Sequence, residues 1–138
     1  MTPDTLYRLA PLLIALQFIA FGWRVNREIN LAEADRDTFV LIPDVLNIIS
    51  LFATVLCLIV LPLATDACFY LSRMVLAAGY ILIVFHPFTV AAHYRLWSRK
   101  SQNITEVKDY PYATGGELVS ASLSIVLTIL AAAYIVTR

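Results

Sequence analysis

The sequence predicts an all-α fold: a four-helix transmembrane bundle with its N- and C-termini on the same, non-cytoplasmic side. Three observations carry this. Apolar residues make up 60% of the 138 residues and charged residues only 14%, against roughly 45–50% and about 25% in soluble domains. A soluble domain of this size could not hide that much apolar surface. The apolar residues also fall into four long segments, each near the roughly 20 residues a helix needs to cross hydrocarbon. Finally, Lys and Arg are divided unevenly between the two ends of those segments. The chain reads as a single polytopic domain, 1–138, with approximate spans 5–24, 44–63, 70–95 and 116–136.

The first span is apolar from Leu9 to Trp23, interrupted by Gln17. Thr2 is placed to cap it, and Pro3 suits a first helical position, where a missing N–H costs nothing. Asp4 precedes Arg8 and no cleavage motif follows, so the segment reads as a retained span and not as a signal peptide. The second span runs from Val45 to Leu61, with Asp44 as the expected cap and Pro62 marking an end or a kink. The third starts near Ala67 and passes Tyr94. It contains Pro87, which cannot donate to the Ile83 carbonyl, a defect that membrane helices tolerate. The fourth runs from Glu117 to Val136, and Thr114-Gly115-Gly116-Glu117 ahead of it fits a capping box. The second and third spans are joined by only about Pro62 to Asp66 and should form an antiparallel hairpin.

Four spans leave two larger connections, 25–43 and 98–115, on one side. Arg24, Arg27, Arg36, Arg95, Arg99, Lys100 and Lys108 lie at or in them, and only Arg8, Arg73 and Arg138 lie at the other end. The positive-inside rule then places both connections in the cytoplasm or a matrix-like compartment. Trp23, Trp97 and Tyr94 fall at that interface, and Tyr7, Phe69, Tyr70 and Tyr134 at the other, as two aromatic belts. Trp23, Arg24, Arg27, Trp97 and Arg95 are accordingly expected as interfacial anchors.

Helical rise, about 1.5 Å per residue, gives the depth of each polar residue. Gln17, Asn47, Ser50, His86, His93, Ser120 and Ser124 all fall in the loop-side half. Residues of this kind usually face other helices or a watered cavity, so these seven are the candidate polar interior. Helical spacing places Gln17 with Arg24, Asn47 with Ser50, Thr54 and Cys57, and Gly79 with His86 and His93 on common faces. Ser120, Ser124, Thr128 and Ala132 form a ladder of small residues that would let backbones approach closely. His86 is expected to reach Gln17, Asn47 or a serine of the fourth span, as a structural hydrogen bond or as part of a hydrophilic pocket or proton path.

Several chemistries find no footing. The two histidines share one helix, roughly 10 Å apart along it, and cannot clamp one haem iron or chelate one zinc. No Cys/His cluster supplies the ligands that zinc requires. Gly115-Gly116 lacks the Lys-Ser/Thr of a phosphate loop, and no serine nucleophile elbow is present. Asp44 and Glu117 are placed at interfaces, so no span carries a central carboxylate. A formal net charge of zero provides no basic field for nucleic acid. Asn103-Ile104-Thr105 matches a glycosylation acceptor on the side where that chemistry is absent. Cys57 and Cys68 are expected as unpaired thiols. No catalytic residue, cofactor or metal is expected.

The layout resembles that of the membrane-associated eicosanoid and glutathione enzymes: four spans, short length, external termini and a polar loop-side half. The Arg, Asn and Glu pattern of their second span is replaced here by Asp44-Val45-Leu46-Asn47-Ile48-Ile49-Ser50. The leading expectation is therefore a non-catalytic membrane subunit whose partners are the lipid bilayer and other membrane subunits or copies of itself. The alternatives are a pore or transport unit with a loop-side vestibule, and a membrane-embedded enzyme acting on a lipophilic substrate.

Overall fold

The computed structural model describes residues 3–33, 40–64, 69–94 and 113–137. The elements in order are α1 (Pro3–Glu33), α2 (Ile42–Val55), a π-helical turn (Leu56–Val60), α3 (Leu61–Ala64), α4 (Phe69–His93) and α5 (Gly115–Val136). Four helical stretches are long and apolar enough to cross a membrane: Thr5–Asn30, Ile42–Ala64, Tyr70–His93 and Gly115–Val136. The chain thus has the make-up of a multi-pass, all-helical membrane protein.

Three boundaries differ from the sequence expectation. The first helix does not end near Arg24 but continues to Glu33, so residues 25–33, expected in a connection, are helical. Arg24 and Glu28 form an i,i+4 pair with Arg24 Nη2 2.8 Å from Glu28 Oε1, which supports a helix through this charged stretch. Asp44 is not the cap of α2. Leu41 holds that position, and Asp44, three residues on, accepts from the Leu41 N–H at 3.2 Å. Pro62 neither ends nor breaks the second span. The preceding turn widens to the π register, so that Leu61 N–H bonds to Leu56 O, and the helix continues to Ala64. In an α-helix that N–H would bond to Cys57 O. The displaced carbonyl accepts from Ser72 Oγ of α4 at 2.9 Å, which ties the hairpin together near its turn. Pro87 likewise lies within an unbroken α4.

Successive spans are antiparallel: Arg24 meets Asp44, Asp44 meets His86, and His93 meets Glu117. α1 packs on both helices of the hairpin, while α5 packs chiefly on α4 and reaches α2 only lightly. The half remote from the 34–39 and 95–112 connections has an apolar core of Leu6, Ala10, Leu13, Leu58, Leu76 and Ile83. Lipid tails are as apolar as these residues, so their contribution is close packing rather than escape from water. Gly79 makes that packing possible: a Cβ there would lie 2.5 Å from Leu13 Cδ2. Tyr80 adds a polar tie, donating from its hydroxyl to Leu9 O at 3.1 Å.

Candidate functional site: a buried charge network in the loop-side half

Capping chemistry places both carboxylates of the site. α2 and α5 each begin with a carboxylate three residues after the cap residue, Asp44 after Leu41 and Glu117 after Thr114. The first-turn N–H groups of a helix lack intrahelical partners, and the helix dipole favours negative charge there. At α5 the full capping box forms: Glu117 N–H donates to Thr114 Oγ1 at 3.3 Å and Thr114 N–H to Glu117 Oε2 at 3.3 Å. Thr114 Oγ1 in turn donates to Ala92 O of α4 at 3.2 Å. At α2, Asp44 takes Leu41 N–H, and Glu117 reaches across from α5 to take Ile42 N–H at 3.0 Å. Pro43, which follows, has no N–H to satisfy.

The same two carboxylates then bind side chains from other helices. Arg24 Nε of α1 lies 3.0 and 2.9 Å from the two oxygens of Asp44. His86 Nε2 of α4 lies 3.2 Å from Asp44 Oδ1. One turned aspartate thus joins α1, α2 and α4. Seven residues along α4, on the same face, His93 Nδ1 lies 2.7 Å from Glu117 Oε2. Asp44 is 6% exposed, Arg24 3%, His93 1% and Glu117 1%. Ionised groups this dry are tolerated only when paired and hydrogen-bonded.

These positions correct several expectations. Asp44 and Glu117, placed at interfaces by the sequence, are buried among the helices as the centres of the network. Arg24 is not an interfacial anchor but the buried partner of Asp44. His86 faces other helices, but its partner is Asp44 and not Gln17, Asn47 or a serine of α5. The signal that could have found this was the pair of helix-start acids at helix-start depth, opposite Arg24 and the two histidines. Seven-residue spacing of the histidines pointed to one face of α4. Arg27 is half-buried. Its guanidinium sits 4.2 Å from the centroid of the Tyr94 ring, and Nη1 lies 3.0 Å from Glu28 Oε1. Trp23 is exposed. Arg95 and Trp97, with Cys68 and Asn103, lie outside the described residues.

Tyr94 closes the loop-side end of the network. Its hydroxyl accepts from Arg24 Nη1 at 3.4 Å, and its ring packs edge-on to His93 at 4.9 Å between centroids. Burial pushes the Tyr94 phenol above its ordinary pKa, against the opposing pull of Arg24 and Arg27.

The remaining candidates form a neutral layer. Gln17 Nε2 donates to Ser50 Oγ at 2.8 Å, and Asn47 Nδ2 donates to Gln17 O at 3.1 Å, which locks α1 to α2. Thr54 Oγ1 donates to Ser50 O at 2.7 Å. Thr89 Oγ1 donates to Phe85 O at 2.9 Å, so Ser120, 2.8 Å away, is the donor in the α4–α5 hydroxyl contact. Ser124 is buried and donates to Ala121 O of its own helix. Its role there is small size, and it makes no bond across the gap. Cys57 is buried. Two polar atoms, Gln17 Oε1 and His93 Nε2, are buried without a hydrogen-bond partner among the described residues.

Beside the network, residues of α1 and of the start of α2 line a cleft of about 340 Å³. Arg24, Glu28 and Asp44 are its polar residues, and Phe21, Val25, Ile29, Ala32, Val40 and Ile48 form its walls. No three His, Cys, Asp or Glu side chains are grouped to hold a metal ion among the described residues. No protein-family model, curated protein or solved structure matches this chain, so its function has to be argued from this geometry.

Proposed function

We propose that this chain is a non-catalytic integral membrane subunit that assembles with copies of itself or with other membrane proteins. The supporting observation is the state of α5. Of its 22 residues only Glu117, Ala121 and Ser124 are buried. The side-chain hydrogen bonds described between α5 and other helices involve Glu117 and Ser120, in its first turns. The rest presents an apolar surface that includes Ile125, Ile129 and Leu130 and that a neighbouring helix can cover. The ionisable groups give no competing support for catalysis, because they are engaged with one another. Arg24 holds Asp44, Asp44 holds His86 and Glu117 holds His93. In this reading the network fixes the geometry of the subunit, and both connections carrying the seven basic residues face the cytoplasm or a matrix-like compartment.

The test is the mass of the native protein in mild detergent. An assembly larger than one chain is expected, and Ile129→Trp on the exposed face should reduce it while the helical content stays unchanged. A monomer purified without any companion subunit overturns the proposal. Orientation is tested separately in a chain lacking Cys57 and Cys68. A cysteine at Ser101 should be shielded from an impermeant thiol reagent in intact cells, and one at Thr2 should react.

A transport role is the second reading, favoured by the unpartnered Gln17 Oε1 and His93 Nε2. Buried polar atoms of this kind are usually satisfied by water, and water next to His93 would begin a path for protons. Proton flux into vesicles containing the protein, lost in His93→Phe, would establish it. Flux equal to that of empty vesicles would end it.

A further inference from the structure

The two histidines of α4 meet their carboxylates through different nitrogens. His86 contacts Asp44 through Nε2, at 3.2 Å, and His93 contacts Glu117 through Nδ1, at 2.7 Å. A neutral imidazole carries one ring proton, so one nitrogen donates and the other offers a lone pair. Which nitrogen does which follows from the hydrogen bonds around the ring.

Both carboxylates serve as acceptors in their other contacts. Asp44 accepts from Arg24 Nε and from Leu41 N–H. Glu117 accepts from the N–H groups of Ile42 and Thr114. The proton of each histidine contact therefore belongs to the ring. It sits on Nε2 at His86 and on Nδ1 at His93. The lone pair of neutral His93 is then on Nε2, the nitrogen at the tip of the ring. His93 is 1% exposed, and no donor reaches this atom among the described residues. The ring is held in place, because Glu117 fixes Nδ1 and Tyr94 packs edge-on to it. A buried acceptor left without a donor is costly, and ordered water is the usual remedy.

We infer that α4 holds its two histidines in opposite tautomers, Nε2–H at His86 and Nδ1–H at His93, and that His93 Nε2 binds a water molecule by accepting its O–H. Glu117 is the positioning residue, since its contact with Nδ1 is what makes the buried tip of the ring an acceptor. The same unpartnered Nε2 favours a transport role, but a bound water needs no flux. One water is a fixed part of the bundle, whereas a proton path needs a chain of them.

The experiment is solid-state NMR of the full chain in phosphatidylcholine bilayers, with isotope-labelled histidine, proline and tyrosine and no histidine tag. Contacts to Pro87 and Tyr94 tell the two rings apart without any substitution. Spectra are taken at pH ~8.5, above the ordinary imidazole range. Nε2 should be protonated at His86 and Nδ1 at His93, and magnetisation from water protons should reach His93 Nε2. In Glu117→Gln the amide can offer either its oxygen or its N–H to Nδ1, so the Nε2–H form of His93 should rise several-fold while His86 keeps its tautomer. An unchanged His93 in that variant removes Glu117 as the positioning residue. A protonated His93 Nε2 in the parent chain overturns the tautomer assignment. No transfer from water to Nε2, or a donor supplied to it by a side chain of 95–112, overturns the water site. Proton flux is measured on vesicles of the same preparation, and its absence ends the transport role while leaving the tautomers and the water standing.

Discussion

Asp44 and Glu117 do the same local job and differ in what neutralises them. Each stands three residues after a helix cap, accepts the N–H of that cap residue and binds a histidine of α4. The histidines are seven residues apart, so one face of one helix serves both sites. Asp44 also has Arg24, a permanent cation, against both of its oxygens. Among the described residues Glu117 has no arginine or lysine against it. Its other donors are the backbone N–H groups of Ile42 and Thr114. The first site is therefore centred on an arginine–carboxylate pair and the second on a carboxylate held by backbone N–H groups and one imidazole. The unpartnered nitrogen, His93 Nε2, lies at the second site. A permanently paired carboxylate suits a structural rivet.

The largest expected effect tests that contrast. Asp44→Asn keeps the shape and removes the carboxylate that faces Arg24 Nε, leaving the buried guanidinium its contact with Glu28. Removing one partner of a buried ion pair costs about 3–5 kcal/mol. Thermal unfolding in detergent should show the loss, and Arg24→Leu combined with Asp44→Leu should recover much of it. A double variant as unstable as Asp44→Asn would mean that the pair does more than neutralise itself.

Glu117→Gln is the matching change at the second site. It strands no permanent cation, so only weakened hydrogen bonds remain, at about 1–3 kcal/mol for a buried group left unsatisfied. The same unfolding measurement compares the two variants directly. A loss equal to that of Asp44→Asn would erase the distinction between the sites.

The neutral contact beside Glu117 should matter least. Thr89→Val removes the acceptor for Ser120 and keeps the volume. Hydrogen bonds between membrane helices average about 0.6 kcal/mol, so a shift of that order is expected. A loss comparable with that of Glu117→Gln would make the Thr89–Ser120 contact part of the charge network.

Steric fit is tested at the opposite end of the molecule, away from both carboxylates. Gly79→Val overpacks against Leu13, at about 1–3 kcal/mol, while Gly22→Ala, with nothing within 4 Å of its new methyl, should not destabilise. Unfolding temperatures of the two variants check this. Equal effects would remove Gly79 from the packing account.

The sequence by itself determined the number of helices long and apolar enough to cross a membrane and roughly where each lies along the chain. Length and hydropathy decide these locally, because a segment of some twenty apolar residues has few alternatives in lipid. The capping box at Thr114 and Glu117 was equally local, since all its atoms lie within one turn. The tertiary structure alone decided the partners. Arg24 near a span end reads as an anchor when its helix is considered by itself, because most arginines at that depth reach water. It is buried here because α1 continues to Glu33 and α2 begins beside it, bringing Asp44 within 3.0 Å. Asp44 and Glu117 likewise read as interfacial acids along the chain. Which donors surround a carboxylate depends on the rotation of neighbouring helices, and no spacing within one helix records that. The same holds for the π-helical turn before Pro62. The proline announces a missing hydrogen bond in the sequence, but only the position of Ser72 on the facing helix determines which carbonyl is freed and what satisfies it.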